Sequence, residues 1–272
     1  MSDCFVGVGL RTVHYPHLSS KPKIRIKWFE AVSENYMDTK GRPFEVLTSL
    51  RRDFPVALHG VSMSIGSASG VSQSYLAKLK ELINHIDPFI VSDHLCWAHF
   101  GNVSYNDLLP LPLTDETLSL VVNHIDFVQS YLGRHLLFEN VSSYLTFKHS
   151  TYTEWDFLKE VVRRSGCKLL LDINNIYVNA SNHRFDGCEF IDAIPNDYIG
   201  QVHMAGFTDM GTYYFDTHSK EVSDPVWNMY HRLIQRHPTV PVLLEWDEDI
   251  PSFEKLENEA LKAATIWSSY HG

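Results

Sequence analysis

The sequence predicts an α/β protein built as one (β/α)8 TIM barrel, and three observations predict it. Eight short apolar runs alternate with longer amphipathic stretches along the whole chain. Several of these runs are nearly continuous and stop abruptly at polar residues, as strands buried on both faces of a parallel sheet do. The 272 residues carry no Pro/Gly-rich linker or low-complexity segment, and about 250 residues is the usual size of such a barrel. One domain over residues 1–272 is therefore expected.

In chain order, the strands are expected at Phe5–Leu10, Trp28–Glu34, Val56–Val61, Phe89–Leu95, Leu136–Val141, Lys168–Ile173, Ile199–Ala205 and Val242–Trp246. Between them, Ser72–Ile86 sets Leu76, Leu79, Leu82, Ile83 and Ile86 at helical spacing. Thr114–Leu132 opens on a candidate N-cap followed by Asp115 and Glu116, with Thr117 where a full capping box would have Glu or Gln. Glu154–Arg164, Glu189–Ile194, Pro225–Arg236 and Ser252–Tyr270 read as helices on the same grounds. Repeated strand–helix units imply right-handed crossovers, and eight of them favour closure over an open sheet.

Composition narrows the function. A formal charge of −10, with Arg51-Arg52 and Arg163-Arg164 as isolated pairs at helix ends, gives no basic footprint for nucleic acid. No signal-peptide pattern opens the chain and no apolar run nears the roughly 20 residues that span a bilayer. Cys4, Cys96, Cys167 and Cys188 form no CxxC pair, so free thiols and a cytoplasmic location are expected. The Asn102-Val-Ser and Asn140-Val-Ser triplets then carry no glycan. Gly7-Val-Gly9 lacks the third glycine of a dinucleotide fingerprint, since position 12 is Thr12. Ser64–Ser74 is Gly/Ser-rich and reads as a flexible loop.

Active sites of such barrels lie where strands end. Those ends carry His59, Ser92-Asp93-His94, Glu139-Asn140, Asp172-Ile-Asn174, His203 and Glu245-Trp-Asp247. Alternation points Asp172 and Asn174 one way, and likewise Glu245 and Asp247. Buried carboxylates cost several kcal/mol each unless paired with cations. No Lys or Arg accompanies Glu139, Asp172 or Glu245 at its own strand end, and bound metal answers that need. Imidazole and carboxylate without thiolate suit iron(II), manganese or zinc. The number of carboxylates exceeds what one ion requires, so two or more ions are expected. Asp216-Thr-His218, in the loop after the seventh strand, adds two further ligand types. His14, His17 and the other nine histidines read as packing or surface residues.

Eight motifs in order then resemble one family. Gly7-Val-Gly-Leu-Arg11, Trp28-Phe-Glu with Ser33-Glu-Asn-Tyr-Met37, Leu58-His-Gly60 and Ser92-Asp-His-Leu95 are followed by four more. These are Phe138-Glu-Asn140, Leu171-Asp-Ile-Asn-Asn175, Asp216-Thr-His218 and Leu244-Glu-Trp-Asp247. The chain is similar to the multinuclear non-heme iron-dependent oxidative enzymes, once a domain-of-unknown-function family. The resemblance implies a xylose-isomerase-like barrel holding two or three irons, with manganese or zinc replacing them in recombinant preparations. It implies an oxidoreductase that uses dioxygen to modify cysteine or other residues of a ribosomally synthesised precursor peptide, aided by a small recognition partner protein.

Carried over by position, the catalytic set is His59, His94, Glu139, Asp172, His203 and Glu245. His59, His94, Glu139 and Glu245 would surround one iron; Asp172 and His203 would hold a second, bridged by Glu139 or Glu245; Asn174, Asp216 and His218 would serve a third. Family members often read His-x-Ala-Gly-His after the seventh strand, where this chain ends in Phe207, which bears on the third position. Two other readings share the barrel: a divalent-metal sugar isomerase or epimerase, and a catalytically silent peptide-binding protein. A metal-dependent endonuclease is disfavoured by the charge.

Overall fold

Each of the eight expected strands forms, and each stops one or two residues short of the expected end. In the computed structural model, which describes residues 4–101 and 103–271, they are β1 Val6–Gly9, β2 Trp28–Val32, β3 Val56–Gly60, β4 Ile90–His94, β5 Leu137–Glu139, β6 Lys168–Asp172, β7 Ile199–Met204 and β8 Val242–Leu244. Each lies parallel to its chain neighbours, and β8 pairs with β1 through Val6 opposite Val242 and Val8 opposite Leu244, which closes the barrel. The outer bounds of the expected 1–272 domain, and Asn102 of the first Asn-Val-Ser triplet, lie outside the described residues.

The barrel interior is layered by the strand period of two. Trp28, Ala57, Ile90, Leu137, Leu170 and Leu243, one from each of six strands, form an apolar floor with Phe5 against it. Burying a large apolar side chain is worth about 1.5–3 kcal/mol, so this layer is firmly held. Two residues further along each strand the next inward positions are Glu30, His59, Ser92, Glu139, Asp172 and Glu245. The polar set is thus one layer of the barrel, resting on a dry floor. Gly7 makes room for that floor, because a Cβ there would overlap the Trp28 indole.

Around the barrel the helices form as their caps dictate. Thr114 Oγ1 accepts from Thr117 N at 3.3 Å and opens Asp115–Leu132, which ends on Gly133 at φ 73°. Thr153 likewise caps Glu154–Ser165. The helix that Arg51-Arg52 closes runs Arg42–Asp53.

Three features depart from expectation. Asp172 is the last residue of β6 and the N-cap of an unexpected helix, Ile173–His183, accepting from Asn175 N at 2.6 Å. Strand alternation therefore does not reach Asn174, which sits on the first helical turn. Two hairpins also stand at the strand-end face: Trp97–Phe100 with Val103–Leu109, and Thr208–Asp209 with Tyr214–Phe215. Finally, the Ser64–Ser74 loop is tied down. Ser64 Oγ accepts from Ala98 N (2.8 Å), Ser67 Oγ donates to the His99 carbonyl (2.7 Å), and both serines are buried.

Candidate metal centre

The polar layer converges on Glu139. Its Oε2 lies 3.2 Å from His59 Nε2, 3.5 Å from His94 Nε2 and 3.7 Å from His203 Nδ1. Glu139, Asp172 and His203 are 1%, 0% and 0% exposed, so water does not solvate this arrangement. Glu245 Oε2 stands 3.0 Å from His203 Nδ1 and 3.3 Å from His218 Nδ1. Among the described residues, four groups of three could each hold an ion, with ligand atoms within 4.8 Å of one another. They are His59–His94–Glu139, Glu139–Asp172–His203, Asp172–His218–Glu245 and Glu30–His203–Glu245. The groups share members, as a centre of several ions requires, and the geometry joins Glu245 to His203 and His218.

Each inner imidazole is turned by an acceptor behind it. Ser92 Oγ accepts from His59 Nδ1 at 2.8 Å, the Gly60 carbonyl accepts from His94 Nδ1 at 3.0 Å, and Glu30 Oε1 lies 2.9 Å from His203 Nε2. The remaining nitrogen of each ring then faces Glu139, the orientation that outer partners impose on ligating histidines. Asn140 ties β5 to β6, donating to the Asp172 carbonyl and accepting from Asp172 N. Asn175 Nδ2 reaches Glu139 Oε1 at 3.4 Å.

Electrostatics set the need for cations. Burial opposes a charge on His59, yet the adjacent Glu139 carboxylate, with Glu30 beyond, raises its pKa to about 9. His203 and His218 are raised well above the ordinary imidazole value against the same burial, the first by Glu30, Glu245 and Glu139, the second chiefly by Asp216. Burial lifts the Asp172 carboxyl far up, opposed by His218 and reinforced by Glu139 and Asp216. Without metal, protons must supply the positive charge that this many carboxylates demand. Glu139 Oε2, Asp172 Oδ2, Asn174 Oδ1, His203 Nδ1 and His218 Nε2 are buried there with no hydrogen-bond partner. Orphaned donor atoms of this kind, imidazole and carboxylate together, fit hard or borderline divalent ions.

The expected residues come together almost completely. Asn174 reaches the site by the helix turn, its Nδ2 2.8 Å from Asp216 Oδ1. Asp216 Oδ1 is 2.8 Å from His218 Nε2, so the Asp216-Thr-His218 loop does bring both groups to one place. Phe207 brings no donor; its ring packs on Tyr214 and Tyr177 with centroids 4.4 and 5.4 Å away. Asp93 and Glu34 point away from the cage, sharing Tyr75 Oη at 3.2 and 2.7 Å.

Two residues were not anticipated. Glu30 is a buried acid inside an apolar strand, where alternation alone would have set it inward above Trp28. Arg11, from the end of β1, hydrogen-bonds the Trp246 carbonyl (3.0 Å), Glu245 Oε1 (3.2 Å) and Asp247. Glu245 is thus accompanied by a cation from the neighbouring strand, whereas Glu139 and Asp172 meet no Lys or Arg among the described residues. The mouth above is a cavity of about 700 Å³, bordered by Arg11, Asp107, Tyr144, Leu145 and Phe215.

Comparison with known proteins agrees with this architecture. A family model described as RiPP precursor modification enzyme MbnB/TglH/ChrH matches residues 5–268. A UPF0276 protein of Anaeromyxobacter sp. (strain Fw109-5) is 48% identical over 261 residues, 96% of this chain and 92% of the relative. One from Acaryochloris marina is 46% identical over 260 residues, 95% and 93% of the two chains. Among solved structures, D-psicose 3-epimerase of Clostridium cellulolyticum H10 superposes with TM-score 0.61 at 10% identity, covering 97% of this chain and 99% of the other. A xylose isomerase-like TIM barrel protein from Mycobacterium smegmatis, in complex with magnesium, gives 0.60 at 14% identity, covering 96% and 89%. These two likenesses show the fold.

Proposed function

The chain belongs to the MbnB/TglH/ChrH family of RiPP precursor modification enzymes, and from that membership and the donor cage we propose a multinuclear iron enzyme that uses dioxygen to oxidise cysteine or other residues of a ribosomally made precursor peptide. The observation that carries the proposal is the convergence on Glu139 of imidazoles and carboxylates whose buried atoms have no partner.

In this reading His59, His94 and Glu139 hold one ion, and Asp172 and His203 a second, with Glu139 shared. Asn174, Asp216 and His218 serve a third, together with Asp172 and Glu245. Bound iron supplies the redox chemistry with dioxygen and a partner for a substrate thiolate. The protein's residues do the rest. Glu30, Ser92 and the Gly60 carbonyl fix the imidazoles, and the apolar floor excludes water from below. Asp247, its Oδ2 3.3 Å from His218 Nδ1 at the open edge, orients that ring from outside. A small partner protein that delivers the precursor, and a reducing cytoplasm in which all four cysteines stay free, complete the reading. The likeness to sugar epimerases, at 10–15% identity, carries the barrel and nothing about substrate.

The test is anaerobic loading with ferrous iron, followed by incubation with dioxygen and a cysteine-bearing precursor encoded beside the gene. Two to three irons per chain and an oxygen-dependent mass change in the peptide are expected. A fully folded protein that takes up no iron, or an iron-loaded one that converts sugars without oxygen, overturns the proposal.

A further inference from the structure

A second cavity of about 300 Å³ lies beside the metal mouth, within the range of small-ligand sites. Pro110, Val141, Ser143 and Leu145 line both spaces, so a chain lying over the mouth passes the entrance of the second. Its walls are mostly apolar, Leu95, Leu111, Leu113, Trp155, Phe157 and Phe185 among them. One charged group interrupts them. Glu154, first residue of the helix Glu154–Ser165, lines this space from a half-buried position. Among the described residues that carboxylate meets a single donor, Asn179 Nδ2, at a long 3.4 Å. Burial pushes its pKa up to about 7, against that one bond.

An acceptor left nearly unpaired in an apolar, ring-lined space calls for a ligand that is apolar in body and a donor at its tip. A lysine would match the charge, but its ammonium would have to be stripped of water against a carboxylate that resists ionising. An indole, or a phenol, loses little on entry and supplies the N–H or O–H. We propose that this cavity is a specificity subsite that takes an aromatic, donor-bearing side chain, tryptophan foremost, from the substrate peptide beside its modified residue. The inference rests on the peptide-modifying role proposed above and assigns that role a sequence preference.

The test is binding of N-acetyl-L-tryptophanamide, N-acetyl-L-phenylalaninamide and N-acetyl-L-lysinamide to the full chain, by calorimetry, both metal-free and iron-loaded. The tryptophan probe should bind about tenfold tighter than the other two, the worth of one hydrogen bond to the Glu154 acceptor. Thr146 lines the cavity from an exposed position, so Thr146→Trp should plug it and abolish binding, while Thr146→Ser should not. Glu154→Leu should reverse the order of the tryptophan and phenylalanine probes, and Glu154→Gln should narrow the gap. A lysine preference, equal affinities, or tryptophan binding untouched by Thr146→Trp overturns the inference. Those outcomes leave iron loading and peptide oxidation standing. Probe binding that persists in a protein unable to load iron overturns the oxidative role alone.

Discussion

Replacing Glu139 by Gln keeps its shape and removes its charge, which makes it the sharpest probe of the cage. Its Oε2 faces three imidazole nitrogens at 3.2, 3.5 and 3.7 Å, and it belongs to two of the four ion-sized groups. In the His59–His94 group it is the sole anion, so the variant would offer an entering divalent cation two neutral rings and an amide. Removing one partner of a buried charge pair costs about 3–5 kcal/mol, which corresponds to a factor of about 10² to 10⁴ in metal affinity. The variant should therefore lose at least one iron after anaerobic reconstitution and desalting, read by plasma emission and by competition with a chelator. The metal-free protein should change as well. His59 has a folded pKa of about 9 against an ordinary 6.5, and burial, which opposes its charge, would then meet less resistance. A raised imidazole pKa stabilises the fold fully below 6.5 and ceases to as pH rises through about 9. The stability gap between parent and Glu139→Gln should accordingly shrink from pH 6 to pH 9 in urea titrations. Equal iron content with equal affinity would refute the reasoning.

Glu30→Gln should weaken iron binding about 10- to 100-fold while keeping the number of ions, because the acid orients His203 from behind; loss of a whole ion would make it a ligand instead. Saturating metal at a hundred times its Kd adds about 2.7 kcal/mol, so chelation should lower Tm by roughly 5–10 °C in a chain of this size, and an unchanged Tm would deny a structural role for the ions. Gly7→Ala should cost about 1–3 kcal/mol in chemical denaturation, since the methyl meets the Trp28 ring of the barrel floor. Glu154 has a folded pKa near 7 against an ordinary 4.5, so its ionisation destabilises the fold as pH rises between those values. Glu154→Gln should gain relative stability from pH 5 to pH 8, by about 1–3 kcal/mol, and a parallel pH profile would contradict the burial.

Strand identity and the direction of each side chain are local properties, set by apolar runs and a period of two. The chain alone therefore specified eight strands, the barrel they close, and the end at which His59, His94, Glu139, Asp172, His203 and Glu245 collect. The ordered motifs identified the family for the same reason, since each is a short local pattern. Partnership is not local. Glu30 was readable as an inward acid, but its partner His203 comes from β7, and only closure of the barrel puts the two within 2.9 Å. Arg11 reaches Glu245 because β1 and β8 are neighbours at the seam, a fact no stretch of sequence contains. The helix Ile173–His183 is not legible locally because its asparagines are poor helix formers in isolation; tertiary hydrogen bonds from Asn175 and Asn179 to the Asn140 and Val141 carbonyls, just past β5, reward the conformation. The cavity around Glu154 belongs wholly to the fold, assembled from loops and helices of widely separated segments whose separate patterns say nothing of the space between them.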